Sequence, residues 1–133
     1  MSRQDVKIPK LKFSPNNYYD WRKDLTNVIK VRNPTAGVAL QEAKKPTFNP
    51  KSAATDPRYN KELEICIKRE MDYDDSLPSV WAEIMLNLST ESEQRVSQHP
   101  EFNTALSAHD IIKLWKIIER THISDPATRA AQI

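Results

Sequence analysis

The sequence has very little glycine and cysteine, and both scarcities exclude whole classes of site. Its 133 residues contain one glycine, Gly37, and one cysteine, Cys66. A Walker loop and a dinucleotide-binding fingerprint each need at least two glycines at fixed spacing, because the backbone must approach phosphate without a Cβ in the way. A single cysteine excludes an internal disulfide and every zinc pattern built on two thiolates. We expect Cys66 to be a small buried residue on a helix.

Charge and hydropathy exclude further classes of protein. Lys and Arg total 20 against 18 for Asp and Glu, so the net charge is only +2, too small for a global field that attracts nucleic acid or acidic substrates. No stretch approaches the ~18 apolar residues of a membrane span, and the N-terminus lacks the apolar region of a signal peptide. The sequence predicts one soluble domain in the cytoplasm with no membrane partner.

No local motif indicates catalysis or a bound metal. His99, His109 and His122 stand at separations that do not place two imidazoles on one helical face. The acidic cluster at 72–75 begins like a calcium loop but lacks its glycine and its distal glutamate, so we interpret it as turn and helix-capping residues. A site assembled only in space, such as Cys66 with His99, stays an open alternative. We expect no enzymatic activity, no cofactor, no metal and no small-molecule substrate.

Prolines and apolar spacing together predict the helices. Four prolines follow a residue that can cap a helix N-terminus, in the pairs Ser14-Pro15, Asn33-Pro34, Asp56-Pro57 and Asp125-Pro126. Helical periodicity then predicts helices at 16–31, 34–42, 57–71, 78–88, 90–98 and 111–122.

Two further sequence patterns suggest where helices start and stop. Thr90 with Glu93, and Ser107 with Asp110, resemble capping boxes. We expect MDYDDSLP to end one helix before Pro78, and 43–56 to form a long exposed loop.

These features predict an all-α fold, a compact bundle of about five to seven helices. Outside a few residues at 7–13, no segment shows the alternation of a half-buried strand. We divide the chain into an extended basic arm at 1–13, a helical domain at 14–123, and the truncated start of a further helix at 124–133.

The helix at 111–122 is apolar over about 220° of its circumference, roughly twice the stripe of a surface helix. It is therefore either a central helix or one that faces a partner, and the central position is the favoured interpretation. Its polar strip holds Lys113, Lys116 and Arg120. This strip could contact RNA or acidic lipid, although a solvated face is the favoured interpretation.

The stretch KLKFSPNNYYDWRKDLTNVI resembles the start of Gag proteins from copia-type LTR retrotransposons. In that family a basic and apolar lead, a phenylalanine, an Asn-Tyr pair and a tryptophan introduce the first capsid helix. VWAEIMLNLSTESEQRV and TALSAHDIIKLWKIIERTH resemble the later helices of the same family, including Val96 and Ala108. The motif residues that we assign to the core are Phe13, Asn17, Tyr18, Trp21, Leu25, Ile84, Leu88, Leu114, Trp115 and Ile118.

The resemblance implies a retroviral-capsid-like fold and a structural role in transposition. Such a protein would self-associate into cytoplasmic virus-like particles that package the element's RNA, mainly through regions outside this chain. The alternative is a cellular helical adaptor, including one derived from such a Gag, that binds a peptide beside the last helix. The sequence departs from the family at Ser14-Pro15, where glycine is frequent, and at 33–56, which is longer and richer in proline.

The arm at 1–13 is the segment that we expect to reach a neighbouring copy. We expect its basic and partly apolar edge to leave water where a partner groove is near, and we expect residues 1–12 to be dispensable for folding of the monomer. The expected assembly contacts are Lys7, Ile8, Pro9, Lys10 and Leu11.

Overall fold

The computed structural model describes residues 8–13 and 15–123. In this part of the chain the only β-type pairing is two isolated bridges, Leu11 with Leu88 and Phe13 with Asn16. The prediction of a compact all-α fold is confirmed. The six helices of the described residues are α1 (Tyr18–Arg32), α2 (Pro34–Glu42), α3 (Tyr59–Leu86), α4 (Thr90–Ser97), α5 (Phe102–Ala108) and α6 (Ile111–Ile123).

Helix α6 is the centre of the bundle, because it contacts each of the other five helices. Its wide apolar arc therefore packs against the other helices of this chain, which agrees with the central position that the sequence favours. Ile112 packs partly against the core. The fully or almost fully buried side chains of α6 are Ile111, Leu114, Trp115, Ile117, Ile118 and His122.

Helices α1 and α2 pack so closely that the single glycine is required at their contact. A Cβ on Gly37 would stand 2.6 Å from Lys30 Cα and 2.7 Å from Lys30 N, distances that real Cβ atoms do not adopt. Pro34 is the first residue of α2, where its missing N–H removes no helical hydrogen bond. The sequence prediction for this short helix therefore agrees with the structure.

Helix α3 runs through Pro78 without a break, which corrects the expected interruption at MDYDDSLP. Proline removes the hydrogen bond to the carbonyl four residues earlier, here that of Asp74. Both residues are exposed, so this carbonyl can be hydrated. Tyr73 on one side and Val80 on the other are buried in the core, and this packing offsets the local cost. The acidic cluster at 72–75 consequently lies within a helix and not in a turn.

Helices α4 and α6 are both capped at their first turn, but not by the residues that the sequence patterns indicate. Ser89, and not Thr90, caps α4, since its hydroxyl accepts from the N–H of Ser92 at 3.2 Å. Asp110 itself caps α6, because its carboxylate accepts from the N–H of Lys113 at 3.0 Å. Ser107 lies inside α5, a helix that the sequence patterns did not predict.

Candidate assembly surfaces

The arm enters the core of the bundle at Leu11, whose side chain is completely buried. Its N–H donates to the carbonyl of Asn87 at 2.9 Å, and its carbonyl accepts from the N–H of Ser89 at 2.9 Å. The Ser92 hydroxyl lies 3.0 Å from the same carbonyl. The expectation that Leu11 serves as an assembly contact is therefore wrong for its side chain, because that side chain is already part of the core of this chain.

The other expected arm contacts are placed differently. Pro9 and Lys10 are exposed, and Ile8 packs partly against the core. Lys7 lies outside the described residues. Contact with a neighbour through Pro9 or Lys10 stays a prediction.

The Asn-Asn pair before α1 holds the arm and the end of α6 in place. Asn17 uses both ends of its amide, donating to the Lys10 carbonyl at 3.0 Å and accepting from the Lys12 N–H at 2.9 Å. Asn16 accepts from the N–H of Tyr18 at 2.9 Å and donates to the carbonyl of His122 at 3.0 Å. These two side chains join the arm and the start of α1 to the end of α6, which lies 106 residues away in sequence.

Phe13 is stacked on the ring of His122, and the guanidinium of Arg95 also lies over it, 4.6 Å from its centroid. His122 is completely buried. Its Nδ1 lies 2.8 Å from the Ile118 carbonyl and its Nε2 lies 2.8 Å from the Ser92 hydroxyl. The carbonyl can only accept, so Nδ1 carries the proton in the neutral ring and Nε2 is an acceptor that faces the Ser92 hydroxyl. Burial lowers the pKa of His122 to about 4.

The sequence did not predict this buried histidine, although one signal was present. His122 lies four residues after Ile118 and thus continues the apolar stripe of α6. Its hydrogen-bond partner Ser92 lies on another helix, so the pair is visible only in the folded chain.

The other motif residues form one continuous core. Trp21 donates from Nε1 to the Asn87 carbonyl at 2.9 Å, and its ring centroid lies 5.3 Å from that of Trp115. Burial raises the pKa of Tyr18 to about 12. Phe13 and Asn17 are half-buried. The buried motif residues are Tyr18, Trp21, Leu25, Ile84, Leu88, Leu114, Trp115 and Ile118.

The basic strip of α6 is partly neutralised within the chain. Arg120 Nη1 lies 3.1 Å from Glu101 Oε2, and Lys113 Nζ lies 3.8 Å from Glu101 Oε1. The third cation, Lys116, is exposed. The structure thus brings the three predicted residues onto one surface, together with a carboxylate that weakens their combined field.

Three exposed apolar side chains lie on the first four turns of α3, residues 59–72, which we call the outer half of α3. None of its residues is buried. Ile65, Ile67 and Met71 are 43%, 49% and 60% exposed. Leu63 and Cys66 are only half-buried, so the expected burial of Cys66 is wrong. Buried residues appear in α3 only from Tyr73 onward.

A second group of exposed apolar side chains lies on α1 and α2. Val31 near the end of α1 is 83% exposed and Val38 of α2 is 40% exposed. Tyr19 at the start of α1 is 56% exposed. Single exposed residues of this kind are common, so the outer half of α3 is the stronger candidate for an assembly surface.

The hollow beside the last helix is small. Its volume is about 260 Å³, and its lining includes Tyr73, Leu77, Ile111 and Ile112. Ligand pockets for drug-sized molecules span about 300–1,000 Å³. The peptide groove expected for an adaptor is therefore not supported by the size of this hollow.

Within 8–13 and 15–123, no three His, Cys, Asp or Glu side chains are placed so that they could hold a metal ion. None of the helices in that part of the chain is long and apolar enough to span a bilayer. Comparison with protein-family models, with curated proteins and with solved structures finds no match to this chain.

Proposed function

We propose that this chain is a structural Gag capsid module that self-associates into virus-like particles packaging retrotransposon RNA. The observation that carries self-association is the outer half of α3, four helical turns with no buried residue and three exposed apolar side chains. The resemblance of the motif residues to copia-type Gag is the reason for proposing that the assembly is a virus-like particle. Eight of the ten motif residues are buried in one core, which supports a role for that motif in the fold.

The physical character of the domain suits assembly. A particle forms through repeated contacts between copies, and each contact needs a rigid face that presents the same residues every time. In this chain α6 contacts each of the other five helices, so the exposed faces are fixed to one core. More than one face is needed to build a shell, and the apolar residues of α1 and α2 offer a second.

RNA is held only weakly by this domain in our proposal. Two cations of the basic strip, Lys113 and Arg120, already contact Glu101, and the net charge of the whole chain is +2. Few phosphates can be neutralised by such a surface, so we expect binding to RNA to vanish by about 200 mM salt. Tight binding that persists at that salt would contradict this part of the proposal, and replacing Lys113, Lys116 and Arg120 by Gln would identify the strip as its source.

Electron microscopy with light scattering tests the proposal. The purified chain, concentrated with and without RNA, is expected to form multimers of regular size. A chain that stays monomeric and binds a peptide instead would contradict the capsid role and favour a helical adaptor.

A further inference from the structure

We propose that the outer half of α3 pairs with the same segment of a second copy, antiparallel and with a two-fold axis at Ile67. This inference rests on the proposed self-association and names the surface and the partner. The partner is a second copy because the segment is complementary to itself in both shape and charge.

The outer half of α3 carries a ridge of apolar side chains. Leu63, Ile67 and Met71 follow one another at four-residue steps, so they form one inclined ridge on the helix surface. In a two-fold pair centred on Ile67, this ridge lies against the same ridge of the second copy. Reversal about Ile67 brings Leu63 of each copy next to Met71 of the other.

The ridge is open because the chain's own loop covers a different side of the helix. Ser52 binds Glu62 through its N–H at 2.8 Å and its hydroxyl at 3.0 Å. Phe48 lies against Tyr73 with ring centroids 6.4 Å apart. Glu62 is about 140° from Ile67 around the helix, at 3.6 residues per turn. The loop at 43–58 therefore leaves Ile67 and Met71 exposed, whereas Leu63 is half-buried.

Glu64 and Lys68 are both exposed and lie beside the ridge. Glu64 lies three residues before the proposed axis and Lys68 lies one residue after it. In an antiparallel pair, Glu64 of one copy and Lys68 of the second copy are offset by about 3 Å along the helix axis. Their side chains can span that offset, and the symmetry produces the ion pair twice. The two Lys68 side chains are also offset by about 3 Å, so two attractive pairs stand against one repulsive contact. A parallel pair would instead place Glu64 level with Glu64 and Lys68 level with Lys68.

The expected pairing is weak by itself. One ridge of three residues buries much less than the ~1,600 Å² of a standard interface. Weak contacts of this size suit a particle in which many copies act together, and they make the pairing sensitive to single charges.

Disulfide trapping tests the position of the axis. Ile67→Cys in a Cys66→Ser background places one thiol per copy at the axis. Helices that pack about 8–10 Å apart bring these two Cα atoms within the ~7 Å that a disulfide allows. The matched control is Ile65→Cys in the same background, because Ile65 is 43% exposed against 49% for Ile67 but points to the other side of the helix. We expect cross-linked dimers for Ile67→Cys only; equal cross-linking of both variants would overturn the pairing.

Charge reversal tests the proposed ion pairs in the otherwise unchanged chain. Glu64→Lys alone and Lys68→Glu alone should each raise the Kd of self-association by about tenfold, because two attractive pairs become repulsive in each case. The double variant should restore the Kd. Glu42→Lys, an equal charge change at an exposed residue of α2, should leave it unchanged.

The outcomes separate this inference from the proposed function. If the natural chain associates but the single charge reversals leave its Kd unchanged, the α3 pairing is overturned and self-association stands. If the natural chain stays monomeric at every concentration, self-association itself is overturned.

Discussion

The ring of Phe13 stacks on the imidazole of His122, with centroids 4.2 Å apart and ring planes within 7° of parallel. This contact joins the arm to the end of α6. The Ser92 hydroxyl, 2.8 Å from His122 Nε2 and 3.0 Å from the Leu11 carbonyl, extends the connection to α4. Its single proton can serve only one of these acceptors at a time. The Leu11 carbonyl also accepts from the N–H of Ser89, so it keeps one hydrogen bond in either case.

Acidification should destabilise the domain through His122. Burial, with a smaller contribution from Arg95, lowers the pKa of this imidazole to about 4. The hydrogen bond to the Ile118 carbonyl acts in the opposite direction and raises the pKa. Between that value and the ordinary 6.5, the unfolded chain binds the proton and the folded chain does not. The free energy of unfolding therefore decreases as the pH decreases. We expect a loss of about 2 kcal/mol between pH 7 and pH 5, measured by urea denaturation.

The control for this pH dependence is His122→Gln, which cannot titrate. Its free energy of unfolding should start lower than that of the natural chain at pH 7 but change less toward pH 5. Parallel pH profiles for the two proteins would show that His122 does not stay neutral in the folded state.

Replacing Leu11 by Ala should lower the free energy of unfolding by about 2–5 kcal/mol, because a fully buried side chain is removed from the core. The matched control is Lys12→Ala, an exposed neighbour that should change little. Thermal and urea unfolding of both variants measure the difference. A loss for Leu11→Ala no greater than that of the control would place the arm outside the core after all.

Gly37→Ala should destabilise the domain by about 1–3 kcal/mol, although alanine is the better helix former. The added Cβ would meet the backbone of Lys30 at 2.6 Å, so α1 and α2 must move apart. Val38→Ala is a useful comparison because Val38 is exposed. A gain in stability for Gly37→Ala would show that α1 and α2 leave enough space at Lys30 for an added Cβ.

Trp115→Ala should cost about 3–5 kcal/mol, since the indole is buried and leaves a cavity in the centre of the bundle. Conservative changes separate packing from hydrogen bonding. Trp21→Phe loses the bond from Nε1 to the Asn87 carbonyl, whereas Trp115 Nε1 has no acceptor among the described residues. We therefore expect Trp21→Phe to cost about 1 kcal/mol more than Trp115→Phe. A cost below about 1 kcal/mol for Trp115→Ala would contradict the central place of α6.

The parts of the fold that depend on local sequence were predictable. The proline at the start of α2 and the wide apolar arc of α6 identified these helices and the central position of α6. Local rules failed at Pro78, where buried residues on both sides of the proline maintain one helix. They also missed α5, which has seven residues and no side-chain cap.

The candidate surfaces were only partly predictable, because burial of the arm depends on residues far apart in sequence. Leu11 pairs with Leu88, and no spacing rule connects two positions so distant. The apolar stripe at the start of α3 was visible in the sequence, but its exposure was not. That exposure follows from the length of α3, since only its second half reaches the core formed around α6.

Sedimentation velocity of the natural chain over a series of concentrations from micromolar to millimolar tests self-association most directly. The weight-average sedimentation coefficient should rise with concentration, and the rise should be smaller for Glu64→Lys than for Glu42→Lys. A coefficient that keeps the value of a monomer across the whole series would contradict the proposed capsid role.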